Sequence, residues 1–206
     1  MPNPTLDFFF DYSSPFAYLG AVQVEDTAKR CGATLVYHPM LLGALFKEIG
    51  TPMVPLHTFP EAKRTYYGND LKRWAAYRGA DFQFPSKFPM NTVNALRLTL
   101  VVMEDAPDAV PNLVGRIYRA FWAEDRDISD LDVLGELCSE SGTEKKHLER
   151  IADPSIKSSL REATALAIEA GVCGAPCFRV GEMVFWGQDR LELAERALTG
   201  WQPACG

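Results

Sequence analysis

No apolar run in the sequence approaches the roughly 20 residues that a membrane-spanning helix needs. The opening MPNPTLDFFF has no basic start, no long apolar stretch and no small-residue cleavage site, so it does not read as a secretion signal. Histidine is scarce: only His38, His57 and His147 occur, and no Cys/His spacing matches a zinc site, so no metal is expected. Positive charge is also in deficit. The formal net charge is -6, which disfavours a nucleic-acid partner, because phosphate binding wants a cationic face. The five cysteines, Cys31, Cys138, Cys173, Cys177 and Cys205, are odd in number and irregular in spacing. With no secretion signal, that pattern implies reduced thiols in a cytoplasmic setting. Low-complexity segments and internal repeats are absent. What remains is 206 residues, 47% apolar, enough for one core or for a core carrying a large insertion.

Residues 5–11 read as a buried strand, because three consecutive Phe residues suit a strand covered on both faces. Tyr12-Ser13-Ser14-Pro15 is a turn into a helix over about 16–30, with Ser14 as N-cap and Pro15 at the first helical position. Phe16, Leu19, Val22 and Ala28 supply its apolar face, and Gly32 can end it in the left-handed conformation. Residues 33–37 form the next strand, closed by Pro39. Strand, helix and strand in succession predict a βαβ unit with parallel strands.

Helical spacing then recurs at 58–77, 91–104, 109–122, 130–139 and 143–151, and no strand is expected between about 45 and 150. Asp153 caps a further helix that starts at Pro154 and stops at Gly171. Residues 177–180 and 183–186 around Gly181-Glu182 predict a hairpin, and a last helix covers 189–198. This order is an α/β fold, a thioredoxin-like core made of residues 1–45 and 152–206 and split by an all-helical insertion at 46–151.

Three segments could carry chemistry. At Tyr12-Ser13-Ser14-Pro15-Phe16, the strand-to-helix turn gathers backbone N–H groups and the positive helix end, which favours an anion such as a thiolate. A Ser14 hydroxyl could donate to that thiolate but could not form a disulfide; equally, Ser14 could be only a cap. In Cys173-Gly174-Ala175-Pro176-Cys177, Pro176 could sit in a cis turn facing the first helix, or in an ordinary trans loop. In Trp186-Gly187-Gln188-Asp189-Arg190, Asp189 could be a helix cap, a ligand contact or both.

Cys173 and Cys177 have three residues between them and do not make a CxxC motif; they read as packing thiols. Phe46, Tyr66, Tyr67, Trp74 and Phe88 are candidate core or pocket aromatics.

The stretches FDYSSPFAYLG, HPMLLGALFKEIG, FPEAKRTYYGNDLKRWA, FPMNTVNALR and GVCGAPCFRVGEMVFWGQDRLE, in that order, resemble the 2-hydroxychromene-2-carboxylate isomerase family. That family is similar to kappa-class glutathione transferases and more distantly to DsbA. The resemblance implies a glutathione-dependent isomerase, homodimeric, acting on a small aromatic-derived substrate. Ser14 would lie beside the glutathione sulfur, with Ser13 as a competing hydroxyl. Ala175, just before Pro176, would offer its backbone to the cysteinyl part. Gln188 and Asp189 would hold the γ-glutamyl end and Lys63 the glycine carboxylate. Thr51 stands near a position that relatives often fill with Asn. For a substrate carboxylate, Lys63, Lys87 and Arg73 are candidates by charge alone.

Overall fold

The computed structural model describes residues 3–203, so Cys205 lies outside it. Strand β1 (Thr5–Phe10) forms the centre of a four-stranded sheet in the order β2-β1-β3-β4. β2 (Thr34–Pro39) runs parallel to β1, with Thr5 opposite Thr34, and helix α1 (Pro15–Arg30) makes the connection between them. On the other side β3 (Cys177–Val180) pairs antiparallel to β1, and β4 (Met183–Trp186) closes the hairpin through Gly181, whose φ of +59° suits a residue without Cβ. The five residues of β1 after Thr5 are all buried, as a strand covered on both faces requires. Phe8 stacks between Phe10, 5.1 Å away, and Phe178, 5.5 Å away. Asp7 is bracketed across three strands: Arg179 Nε donates to Oδ2 and His38 Nε2 sits against Oδ1, both at 2.8 Å.

Between β2 and β3 the described residues hold only helices: α2 (Leu42–Glu48), α3 (Pro55–Thr58), α4 (Glu61–Arg78), α5 (Val93–Asp105), α6 (Val110–Trp122), α7 (Leu131–Glu140) and α8 (Pro154–Glu169). Helix α9 (Leu191–Leu198) follows the hairpin. The thioredoxin-like core split by a helical insertion is therefore the observed architecture. No helix among the described residues is long and apolar enough to cross a membrane.

Several local expectations need correction. The helix expected over 58–77 starts later, as α4 at Glu61, because Pro60 holds its N-cap position in an extended conformation, and Thr58 belongs instead to the short α3 before it. Residues Lys145–Ala152 form 3-10 turns, not an α-helix. Asp153 makes no cap hydrogen bond; its carboxylate lies 3.6 Å from Arg150 instead. Val22 is exposed, because the face of α1 that packs inward is made by Ala17, Tyr18, Leu19, Val24 and Ala28. Helix α2 carries no side-chain cap, and its short apolar run was missed.

The turn after β1 is fastened to the insertion by buried polar groups. Asp11 is fully buried and accepts from Thr92 Oγ1 (2.7 Å) and Ser13 N (3.0 Å) on Oδ1, and from Leu42 N (2.8 Å) on Oδ2. Tyr118 donates its hydroxyl to the Asp11 carbonyl, and Trp122 Nε1 donates to the Tyr12 carbonyl at 2.8 Å. Thr99 directs its hydroxyl hydrogen to the Ala95 carbonyl, so Tyr12 must be the donor in the 2.7 Å Tyr12–Thr99 bond. Helices α5 and α6 thus hold the segment that presents Ser14.

Candidate active site

The turn points into a cavity of about 1000 Å³ that lies between the sheet end, helices α2 to α4 and the loop that leads into α5. That is the upper end of the roughly 300–1,000 Å³ usual for small-molecule sites. Ser14 lies on its wall, 5% exposed, at the N-cap of α1. Its Oγ accepts from Ala17 N at 3.2 Å and donates to the Ala175 carbonyl at 2.7 Å. The hydroxyl is thus a cap and also a bridge to the opposite loop. Its single hydrogen is held by Ala175, so a ligand group that occupies that carbonyl would release it.

The Ala175–Pro176 bond is cis, and Ala175 lines the cavity facing Ser14. Pro176 itself is turned inward, against Gly20 of α1, and does not line the cavity. Ser13 also lines the wall, half-buried, with its backbone N–H on Asp11. Asp11 itself was read only as the end of a strand. Desolvation holds its carboxyl above the usual range, against the pull of its hydrogen bonds from Ser13, Leu42 and Thr92. An acidic residue at the close of an all-Phe strand, where the chain turns into a helix, was the available signal.

Gln188 and Asp189 both line the cavity. Gln188 is 2% exposed, and its side-chain oxygen has no hydrogen-bond partner among the described residues, a costly state that a ligand N–H would relieve. Asp189 is not a helix cap. It lies inside a 3-10 turn, Gln188–Arg190, that begins after Gly187 (φ +111°) and leads into α9, whose N-cap position is Arg190; the Asp189 carboxylate accepts from Arg190 Nη1 at 2.7 Å. Arg190, also on the wall, is a cation that no local sequence pattern singles out.

Lys63 lines the cavity, its ammonium 3.9 Å from the centroid of the Phe59 ring. Lys87 and Arg73 do not line it. Lys87 pairs with Asp127 at 2.6 Å, and Arg73 lies over the exposed Tyr66 ring. Thr51 is on the wall, its N–H donated to the Phe46 carbonyl.

Of the five candidate aromatics, Phe46, Tyr67, Trp74 and Phe88 line the cavity, and Tyr66 does not. Phe16, Phe59, Met53 and Met90 complete an apolar compartment beside Ser14. A signal for it was present. Lys63, Tyr67, Asp70 and Trp74 recur at helical spacing on the otherwise polar α4, and all four face the cavity. Tyr67 makes no side-chain hydrogen bond within the described residues, and burial pushes its phenol up to about 12, so it stays a proton-bearing donor at neutral pH. Among the described residues no group of three or more His, Cys, Asp or Glu gathers as metal ligands would.

Comparisons with known proteins agree with this fold. A family model described as a DSBA-like thioredoxin domain matches residues 5–199. A 2-hydroxychromene-2-carboxylate isomerase from Sphingobium xenophagum is 30% identical over 94% of this chain and 97% of its own length. The glutathione S-transferase kappa 1 of Homo sapiens is 24% identical over 94% of this chain and 90% of its own. A solved 2-hydroxychromene-2-carboxylate isomerase structure superposes with a TM-score of 0.81 at 25% identity, covering 95% of this chain and 94% of that one. The chain belongs to the DSBA-like thioredoxin family and, within it, to the group that contains the 2-hydroxychromene-2-carboxylate isomerases.

Proposed function

We propose that the protein is a glutathione-dependent isomerase of 2-hydroxychromene-2-carboxylate-type intermediates of aromatic breakdown. The observation that carries this reading is Ser14. At the helix start that favours a thiolate, the chain supplies a hydroxyl and no cysteine, so the thiol must arrive with a ligand. The residues present fit glutathione. The unpartnered oxygen of Gln188 and the carboxylate of Asp189 suit its ammonium end, the Ala175 backbone its cysteinyl part and Lys63 a terminal carboxylate. When bound, glutathione supplies a thiolate that adds to a conjugated double bond and leaves again, permitting rotation in between.

The chain's own part is to hold that thiolate with the Ser14 hydrogen and the α1 dipole. Water is kept from it by Phe16, Phe46, Phe59, Tyr67, Trp74 and Phe88. The Tyr67 phenol is placed in that apolar compartment as the donor to a substrate oxygen on which negative charge builds.

The decisive experiment is turnover of 2-hydroxychromene-2-carboxylate with and without glutathione, after calorimetry for glutathione binding. Turnover that needs glutathione without using it up is expected. Consumption of glutathione would instead make the protein a kappa-like transferase or peroxidase, and binding without turnover would make it a glutathione-holding module. Asp189→Ala is expected to weaken glutathione binding by about 1.5–3 kcal/mol, the range for losing a hydrogen bond to a charged group. Calorimetry on the variant checks this, with circular dichroism to confirm the fold. Tyr67→Phe is expected to lower turnover about tenfold while glutathione affinity stays unchanged, the mark of a donor used only in the reaction. Steady-state rates beside calorimetric affinities separate the two.

A further inference from the structure

Helix α4 turns a pair of polar side chains to the apolar compartment, and the proposed reaction uses only one of them. Tyr67 and Asp70 are three residues apart, so they lie side by side on the cavity face. The Tyr67 ring is set edge-on to Phe16, 5.2 Å away, and to Phe59, 5.9 Å away. Asp70 is half-buried on the same wall, with Trp74 one turn further along. Among the described residues its carboxylate takes part in no hydrogen bond and no ion pair. The other two carboxylates of the wall are both engaged, Asp11 by three donors and Asp189 by Arg190. Neither wall cation answers Asp70. Lys63 stands two turns earlier, about 10 Å along the helix axis, over the Phe59 ring, and Arg190 is held by Asp189.

A carboxylate among aromatic side chains with no cation opposite repels an acid group and is satisfied by a hydrogen-bond donor. Tyr67 beside it decides which donor. An ammonium has only hydrogens to give and leaves the phenol unmet, whereas a hydroxyl gives its hydrogen to Asp70 and offers its oxygen to Tyr67. We propose that Tyr67 and Asp70 together grip one phenolic hydroxyl of the substrate, Tyr67 as donor and Asp70 as acceptor, and that Asp70 is the residue that selects hydroxyl-bearing aromatic rings.

This rests on the reading that the cavity takes a 2-hydroxychromene-2-carboxylate beside glutathione, and it says how that substrate lies. Opening the cyclic hemiketal breaks the bond between the ring oxygen and the carbon that bears the carboxylate. The hydroxyl proton on that carbon passes through water to the ring oxygen, and a ketone and a phenol result. The closed form has no hydrogen on that oxygen, so only the open form satisfies Asp70. The open form is also the one whose double bond can rotate. The ring is then fixed against Trp74 while the rest of the molecule turns, and the substrate carboxylate points away from Asp70. A site built to bond a hydroxyl rejects the analogue that lacks it, because its own polar groups are left unmet.

The test compares 2-naphthol with 2-methoxynaphthalene, which keeps the rings and lacks the hydroxyl hydrogen, by calorimetry on the full chain with glutathione present. The unmodified protein is expected to bind 2-naphthol about tenfold more tightly or better, and Asp70→Ala should bring the two within about twofold. Asp70→Asn keeps a carbonyl acceptor and should retain part of the preference, which a merely structural role does not predict. An undiminished preference in Asp70→Ala would overturn the proposal. So would a loss of glutathione affinity in that variant, which would give the carboxylate to glutathione. Turnover of 2-hydroxychromene-2-carboxylate is measured alongside and is expected to fall about tenfold in Asp70→Ala. A naphthol preference that depends on Asp70, with no chromene turnover by the unmodified protein, would support the hydroxyl site and count against the isomerase reading. Turnover without any naphthol preference would do the reverse.

Discussion

Replacing Ser14 by alanine is expected to cut turnover by about 10–100-fold, because a hydrogen bond to a charged group is worth about 1.5–3 kcal/mol and each 1.4 kcal/mol is a factor of ten. The same loss should raise the pKa of bound glutathione by about 1–2. Stability of the ligand-free protein should fall by about 2–4 kcal/mol, from the lost N-cap to Ala17 and the orphaned Ala175 carbonyl together. The two consequences separate the roles that the hydroxyl combines. A cap alone predicts the stability change without the pKa change. The measurement is the ultraviolet thiolate absorbance of bound glutathione against pH, for the unmodified protein, Ser14→Ala and Ser13→Ala. A Ser14→Ala curve overlaying the unmodified one, beside a displaced Ser13→Ala curve, would move the role to Ser13, which shares the cavity wall. Ser14→Cys gives a further contrast. It puts a thiol of lowered pKa at a helix start, expected to trap glutathione as a mixed disulfide and stop turnover.

Asp11→Ala is expected to be the most destabilising single change at the site. It strips the acceptor from Ser13 N, Leu42 N and the Thr92 hydroxyl at once, and each orphaned buried donor costs about 1–3 kcal/mol. A loss of about 3 kcal/mol or more follows, together with weaker glutathione binding, because the Ser13–Ser14 turn loses its anchor. The pH dependence has a definite sign. Burial raises the folded-state pKa of Asp11 above the unfolded value near 3.8. Its contribution is therefore fully present below that value and declines as pH rises through the folded pKa. The stability gap between the unmodified protein and Asp11→Ala should be widest in acid and narrow toward neutrality. Titration of the other carboxylates is common to both proteins and cancels in the difference. Urea unfolding of both across that range is the measurement, and a gap that widens toward neutral pH would contradict the assignment.

The ends of the chain were legible because their signals are local. An all-Phe strand, a Ser-Pro helix start and a glycine turn each follow from adjacent residues, and β1, α1 and the β3–β4 hairpin lie where these place them. The middle was legible as helical but not in detail, since the 3-10 turns of Lys145–Ala152 depend on packing. Tertiary direction was the main loss. Charge made Lys63, Lys87 and Arg73 equivalent in the sequence, whereas the fold turns only Lys63 to the cavity. Thr92, at the N-cap position of α5, gave no sign that its hydroxyl would serve Asp11 across the cavity floor.

The ties from Asp11 and Tyr12 to α5 and α6 also govern how molecules enter and leave. Swinging those helices away from the sheet would unpair Thr92, Thr99, Tyr118 and Trp122 together. At about 1 kcal/mol each, those four bonds alone would hold such an opening to about one in a thousand, and the apolar core buried under α5 and α6 makes it rarer still. The rim opposite is tied far less: α3 buries none of its residues, and Met53 is 65% exposed. Exchange with solvent is accordingly carried by that short rim, and its local motion sets the residence time of whatever occupies the cavity.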